Sequence, residues 1–169
     1  MAEHEVLPGP EAFEQMVALL DYPMFVVTTR VGDERDGCLI GFSSQVSINP
    51  PRFLVGLSKK NRTFRVAKDA THLAVHVMPR GNVDVARLFG SETGDETDKF
   101  ARCEWHEGPE GIPVLDAAGA WFVGKIRDRF DVGDHVAHVL EPVAGDAPEG
   151  FTDWVTFADV RDLEPGHDA

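Results

Sequence analysis

GCLIGFSSQVSINPP, Gly37 to Pro51, sets the architecture. Its apolar and hydroxyl residues from Cys38 to Ile48 read as one extended run, and Asn49-Pro50-Pro51 stops it, because proline cannot donate to a sheet ladder. Similar runs lie on both sides. MFVVTTR (Met24 to Arg30) is rich in β-branched residues and precedes a turn over Gly32 to Gly37. RFLVGL (Arg52 to Leu57) follows the prolines, and Leu73 to Met78 makes a fourth run. Thr63 to Lys68 between them reads as a short helix. Further on, Trp105 lies on a short strand. Ala120 to Phe130 and His135 to Val143 form two strands joined through Asp131-Val132-Gly133-Asp134, and Phe151 to Phe157 reads as the last strand.

Helix signals are fewer. Phe13, Met16, Val17 and Leu20 fall on one helical stripe after Pro8 and Pro10, and Pro23 closes it. Asn82 is placed to cap a helix over Val83 to Phe89, with Val85, Leu88 and Phe89 on its buried face. Gly90 to Asp98 is polar and reads as a loop or short exposed helix. About seven strands that do not alternate with long helices predict a mainly β, closed or half-closed antiparallel barrel rather than a doubly wound sheet.

The charge pattern is uneven. The chain of 169 residues carries 29 acids and 16 Lys plus Arg, a formal charge of −13. An even spread would put about five acids in Gly37 to Lys68; there are none, while Arg52, Lys59, Lys60, Arg62, Arg65 and Lys68 lie inside it. A buried hairpin excludes acids too, which accounts in part for Cys38 to Ile48. The basic run Lys59 to Lys68 is too polar for a core, so the segment is expected to receive an anion. Ser58-Lys59-Lys60-Asn61-Arg62-Thr63 offers hydroxyls, an amide and cations just before a helix start, a suitable chemistry for phosphate. No Gly-x-Gly-x-x-Gly and no P-loop is present, so a Rossmann-type phosphate site is not expected.

The acidic surface argues against nucleic acid and anionic membrane as partners. No apolar run reaches the roughly 20 residues of a membrane span. Met1 to Glu11 has no basic cluster, and the two cysteines, Cys38 and Cys103, make no disulfide framework. A cytoplasmic protein of one domain, residues 1–169, is expected.

Three ordered motifs carry a resemblance. Gln45-Val46-Ser47-Ile48-Asn49-Pro50-Pro51, the Ser/Lys-rich loop Ser58 to Thr63 and Gly133-Asp134-His135 resemble the flavin reductase-like family of split-barrel FMN-binding proteins. His76-Val77-Met78, Phe89 with Lys99-Phe100, and Gly111 to Leu115 match further; the likeness covers roughly residues 15 to 145, with 146 to 169 as a C-terminal extension. It implies an FMN-binding split β-barrel, antiparallel and Greek-key-like, with a few short helices. It implies FMN or FAD as cofactor, NAD(P)H as electron donor, and a homodimer. By the same resemblance Cys38, Leu39, Ile40 and Gly41 lie along the ring, Ser44, Gln45, Val46 and Ser47 flank the ribityl chain, and Ser58, Lys60, Asn61, Arg62 and Thr63 surround the phosphate. Gly41 would let the backbone approach the ring. His135 is the catalytic candidate, close to the incoming nicotinamide. The activity implied is NAD(P)H-dependent flavin reduction, with reduced flavin passed to a monooxygenase. A carrier or sensor of flavin, haem or deazaflavin is the second reading, since split barrels host several cofactors.

Other candidates count for less. His72 and His76 are four apart but on a strand, so structural roles are expected of them rather than metal binding. His135 and His138 should face opposite sides of theirs. No metal site is expected.

Overall fold

A computed structural model describes residues 5–163; the first four and last six residues of the expected single domain lie outside the described part. The sheet is built around β1 (Phe25–Val31), a β-branched strand with Val26 and Val27 both wholly buried on opposite faces. β1 pairs antiparallel with β2 (Glu34–Ile40) and with β5 (His72–Val77). β5 continues to β8 (Ala120–Asp131), β8 to β9 (His135–Asp146), β9 to β4 (Arg52–Ser58) and β4 to β3 (Ser43–Ser47). The order β2-β1-β5-β8-β9-β4-β3 is antiparallel throughout. Its two edge strands, β2 and β3, are consecutive in the chain, separated only by Gly41 and Phe42. The sheet therefore curls until its edges nearly meet, but it stays unclosed there: a split barrel.

The inner face holds Val27, Ile40, Val55, Leu57, Val75 and Leu140, and α2 (Arg62–Ala67) closes one end with Phe64 and Ala67. Burial of such side chains stabilises by about 1.5–3 kcal/mol each. A second core lies on the outer face. Ala86 and Phe89 of α3 (Val83–Ser91) pack there on Val26 and Phe100, together with Val155 and with Val160 of α4 (Phe157–Val160). His76 joins the layers: its Nδ1 donates to the Val26 carbonyl at 2.9 Å, and its Nε2 accepts from the Leu115 N–H at 3.1 Å. Both ring nitrogens serve structure.

Several expectations are corrected. The run Cys38 to Ile48 is two strands, because the chain turns at Gly41-Phe42 from one sheet edge to the other. The turn before it shrinks to Gly32-Asp33, and Glu34 to Gly37 extends β2. Phe151 to Phe157 makes no strand; isolated bridges at Trp154 and Thr156 lead into α4. Asn82 does not cap α3, since its side chain donates to the Ala117 carbonyl instead. A two-stranded ribbon, β6 (Trp105–Glu107) with β7 (Pro113–Leu115), includes a strand that the sequence reading missed. The predicted first helix forms as α1 (Gly9–Ala18), but none of its residues is buried; Phe13, Val17 and Ala18 line an open groove with Tyr22 and Phe157.

Candidate active site

Register brings the predicted parts together. In the β4–β9 ladder Ser58 stands directly opposite His135, and Gly56 opposite Ala137. The Gly56 N–H donates to the Phe42 carbonyl at 2.7 Å, which draws the β2–β3 turn over the same place. The Lys59 N–H donates to the Asp134 carbonyl at 2.9 Å, fixing the loop after β4 to the turn before β9. The result is a cavity of about 180 Å3 lined by Cys38 to Phe42, Gly56, Ser58, Asn61 and His135. Phe89, Gly90, Glu92 and Lys99 complete it from α3 and the segment after it.

The walls differ in character. Leu39, Ile40, Phe42 and Phe89 make it apolar on two sides, with Ser58, Asn61, Glu92, Lys99 and His135 as its polar groups. His135 packs its ring on Phe42 with centroids 4.8 Å apart, and its Nδ1 is 2.7 Å from the Asp134 carboxylate. This pairing holds the Asp134 carboxyl below its usual range, first through the hydrogen bond and then through charge. Gly56 matters by what it lacks: a Cβ there would lie 3.2 Å from the Phe42 Cβ and 3.9 Å from the His135 ring. Cys38 is buried, and desolvation pushes its thiol up to about 11, so it is an inert wall residue rather than a nucleophile.

Not every predicted residue reaches the cavity. Ser44, Gln45 and Val46 are exposed on edge strand β3, where Gln45, Val46 and Ser47 line a separate open groove with Ile48 and Asn49. Ser44 Oγ donates to the Gln45 carbonyl, and Gln45 Nε2 to that of Ser47. Gly41 does line the cavity, yet a Cβ on it would meet Tyr22 at 2.7 Å and Met24 at 2.9 Å. The close approach it permits is to the protein's own side chains.

The basic loop is largely committed. Asn61 Oδ1 accepts from the Thr63 N–H at 2.9 Å and caps α2, while Thr63 Oγ1 donates to Asp36 at 2.8 Å. Asp36 is only 2% exposed and also faces Arg62 at 3.4 Å; Arg62 reaches Glu34 at 3.1 Å. Arg65 pairs with Asp95 at 2.5 Å and Lys59 with Asp131 at 2.8 Å. Among the described residues, Lys60 forms no ion pair, and it is exposed. Lys59, Arg62 and Arg65 are thus paired with acids that lie outside the acid-free segment. Phe42, Gly56, Phe89, Gly90, Glu92 and Lys99 are the cavity residues absent from the expected site; the one signal was the place of Phe89 and Lys99 in the Phe89…Lys99-Phe100 match.

A family model described as "Flavin reductase like domain" matches residues 17–160. The chain is 29% identical over 135 residues to the 4-hydroxyphenylacetate 3-monooxygenase reductase component of Pseudomonas aeruginosa, covering 79% of each. It is 27% identical over 147 residues to an FMN reductase (NADH) of Enterobacter cloacae, covering 85% of this chain and 89% of that one. It spans 36%, 50% and 33% of the length of three other curated relatives. The solved NADH:FAD oxidoreductase of Streptomyces globisporus has the same fold, with a TM-score of 0.81 at 22% identity over 94% of this chain and 95% of that one.

Proposed function

The chain belongs to the flavin reductase-like domain family, and from that premise we propose that it is an NAD(P)H:flavin oxidoreductase. It would use FMN, or FAD, and hand the reduced flavin to a monooxygenase, as the reductase-component name of its Pseudomonas relative suggests. The FMN reductase (NADH) relative favours NADH as donor. The observation that carries the reading is the convergence of Leu39 to Gly41, Ser58, Asn61 and His135 on one cavity.

The residues present fit a flavin. A slot with apolar walls and a few convergent polar groups suits a planar heterocycle. At about 180 Å3 it is smaller than the roughly 300–1,000 Å3 of a whole cofactor pocket, so it would enclose part of the nucleotide only. Bound there, the flavin supplies hydride acceptance and release. The chain's own residues do the rest: the Cys38 to Gly41 backbone and Phe89 orient the ring, Ser58 and Lys60 offer polar contacts beyond it, and His135 contacts the incoming dinucleotide. Arg62 and Thr63, already bound to Asp36, hold the loop rigid. Homodimerisation is part of the proposal. Phe42, Val46 and Ile48 are large apolar residues exposed at the split edge, where a second copy would cover the open side. A single domain in the cytoplasm completes the reading.

The test is an absorption spectrum of the purified protein with added FMN or FAD, before and after anaerobic NADH. Binding followed by bleaching supports the reductase. Flavin absorbance that NADH and NADPH leave unbleached supports the carrier reading instead. No bound flavin and no faster NAD(P)H oxidation with either flavin would sink both.

A further inference from the structure

Lys99 sits where a lysine is expensive. It is 2% exposed, and its Nζ donates to the Gly37 carbonyl at 2.6 Å and lies 5.5 Å from the Phe89 ring centroid. An ammonium has three donors, and a neutral carbonyl does not balance its charge. Among the described residues no carboxylate lies within ion-pair distance of it. Glu92 lines the candidate-site cavity but faces Arg102 at 3.6 Å, Asp36 faces Arg62 at 3.4 Å, and on its other side Lys99 borders a second, acidic cavity with Glu96 and Asp98. Yet Lys99 lines the cavity beside Cys38, Leu39 and Phe89. A buried ammonium with no carboxylate in direct contact still has donors to offer an anionic group arriving in that cavity.

We infer that Lys99 is the cavity's charge-tuning residue, supplying positive charge to the ring edge of bound flavin when that ring becomes negative. The inference rests on the flavin reading above. A hydride from NAD(P)H brings two electrons and one proton to the ring and leaves NAD(P)+, so the ring gains one negative charge unless a second proton follows. Delocalised over the ring edge, that charge suits a single ammonium on an apolar wall. A phosphate, with its concentrated charge, needs several donors and water, and the wall around Lys99 offers Leu39, Ile40 and Phe89 instead. The consequence is a preference for the reduced over the oxidised cofactor.

The experiment compares wild type, Lys99→Met and Lys99→Arg in full-length protein. The midpoint potential of bound FMN and the affinities for oxidised FMN and riboflavin are measured. Lys99→Met should lose tenfold or more of the preference for reduced flavin, a fall of about 30 mV for each tenfold in a two-electron couple. Lys99→Arg should restore most of it. Without flavin, Lys99→Met should unfold at the same or a higher temperature than wild type, because the methionine keeps the apolar stem and removes an unpaired charge.

A wild-type potential in flavin-bound Lys99→Met overturns the inference. So does a loss of affinity for FMN but not riboflavin at unchanged potential, which would assign Lys99 to the phosphate. A Lys99→Met variant markedly less stable without flavin, with Lys99→Arg restoring the fold, would make Lys99 a structural tether for Gly37. Failure of the wild type to bind either flavin would instead remove the underlying reading of the site.

Discussion

Ser58 and His135, 77 positions apart in the chain, are direct cross-strand partners between β4 and β9. That register places a hydroxyl beside an imidazole at one rim of the cavity, with the Lys59 N–H fastened to the Asp134 carbonyl next to them. His135→Ala should raise KM for NADH about tenfold, the loss of one hydrogen bond of roughly 1.4 kcal/mol, and leave flavin affinity within about threefold. Steady-state kinetics beside flavin fluorescence titration separate the two. Equal loss of both would remove His135 from the dinucleotide side.

Gly56→Val tests whether the cavity is where the ring goes. A Cβ there is already 3.2 Å from Phe42 and 3.9 Å from His135, so a valine must push into the cavity or displace Phe42. Flavin affinity should fall more than tenfold, with a destabilisation of about 1–3 kcal/mol from overpacking. Calorimetric titration with FMN reads the first and urea melts the second; unchanged affinity would move the ligand elsewhere.

Asp36 and Arg62 should behave as structure. Arg62→Met strips the buried Asp36 carboxylate of its cation, whereas Asp36→Asn weakens the Thr63 contact and leaves Arg62 its Glu34 partner. Chemical denaturation should show a loss of about 3 kcal/mol for Arg62→Met, and Asp36→Asn should also destabilise, by less. Weaker FMN binding by Arg62→Met with undiminished stability would make Arg62 a phosphate ligand after all.

Acid should weaken the fold through His76. Burial lowers its folded-state value to about 4 from the ordinary 6.5, outweighing the Val26 carbonyl, which favours the charged ring. The unfolded chain then binds the extra proton first as pH drops. The stabilisation is complete above 6.5 and is lost as pH falls from 6.5 towards 4, by about 3 kcal/mol at most. His138, also lowered by burial, acts in the same direction. Urea midpoints at a series of pH values check this, and His76→Leu should flatten the slope in that window.

The β-branched runs and the prolines at 50 and 51 determined by themselves that this is a sheet protein, and roughly where β1, β4, β5, β8 and β9 run. α2 was legible for the same reason: such signals are local, set by the period of apolar side chains and by proline's missing donor. Part of the candidate cavity was legible as well, since Ser58, Asn61 and His135 sit in ordered motifs and Leu39 to Gly41 in the strand run before them. Only the tertiary structure decided the rest. It split Cys38 to Ile48 across the two sheet edges, a choice made by the curl of the whole sheet. It paired Arg62 and Arg65 with Glu34, Asp36 and Asp95, so a segment without acids is not a surface without them. And it placed Lys99 against the Gly37 carbonyl, 62 residues away. Charge pairing and burial depend on distance in space, which a local pattern does not carry.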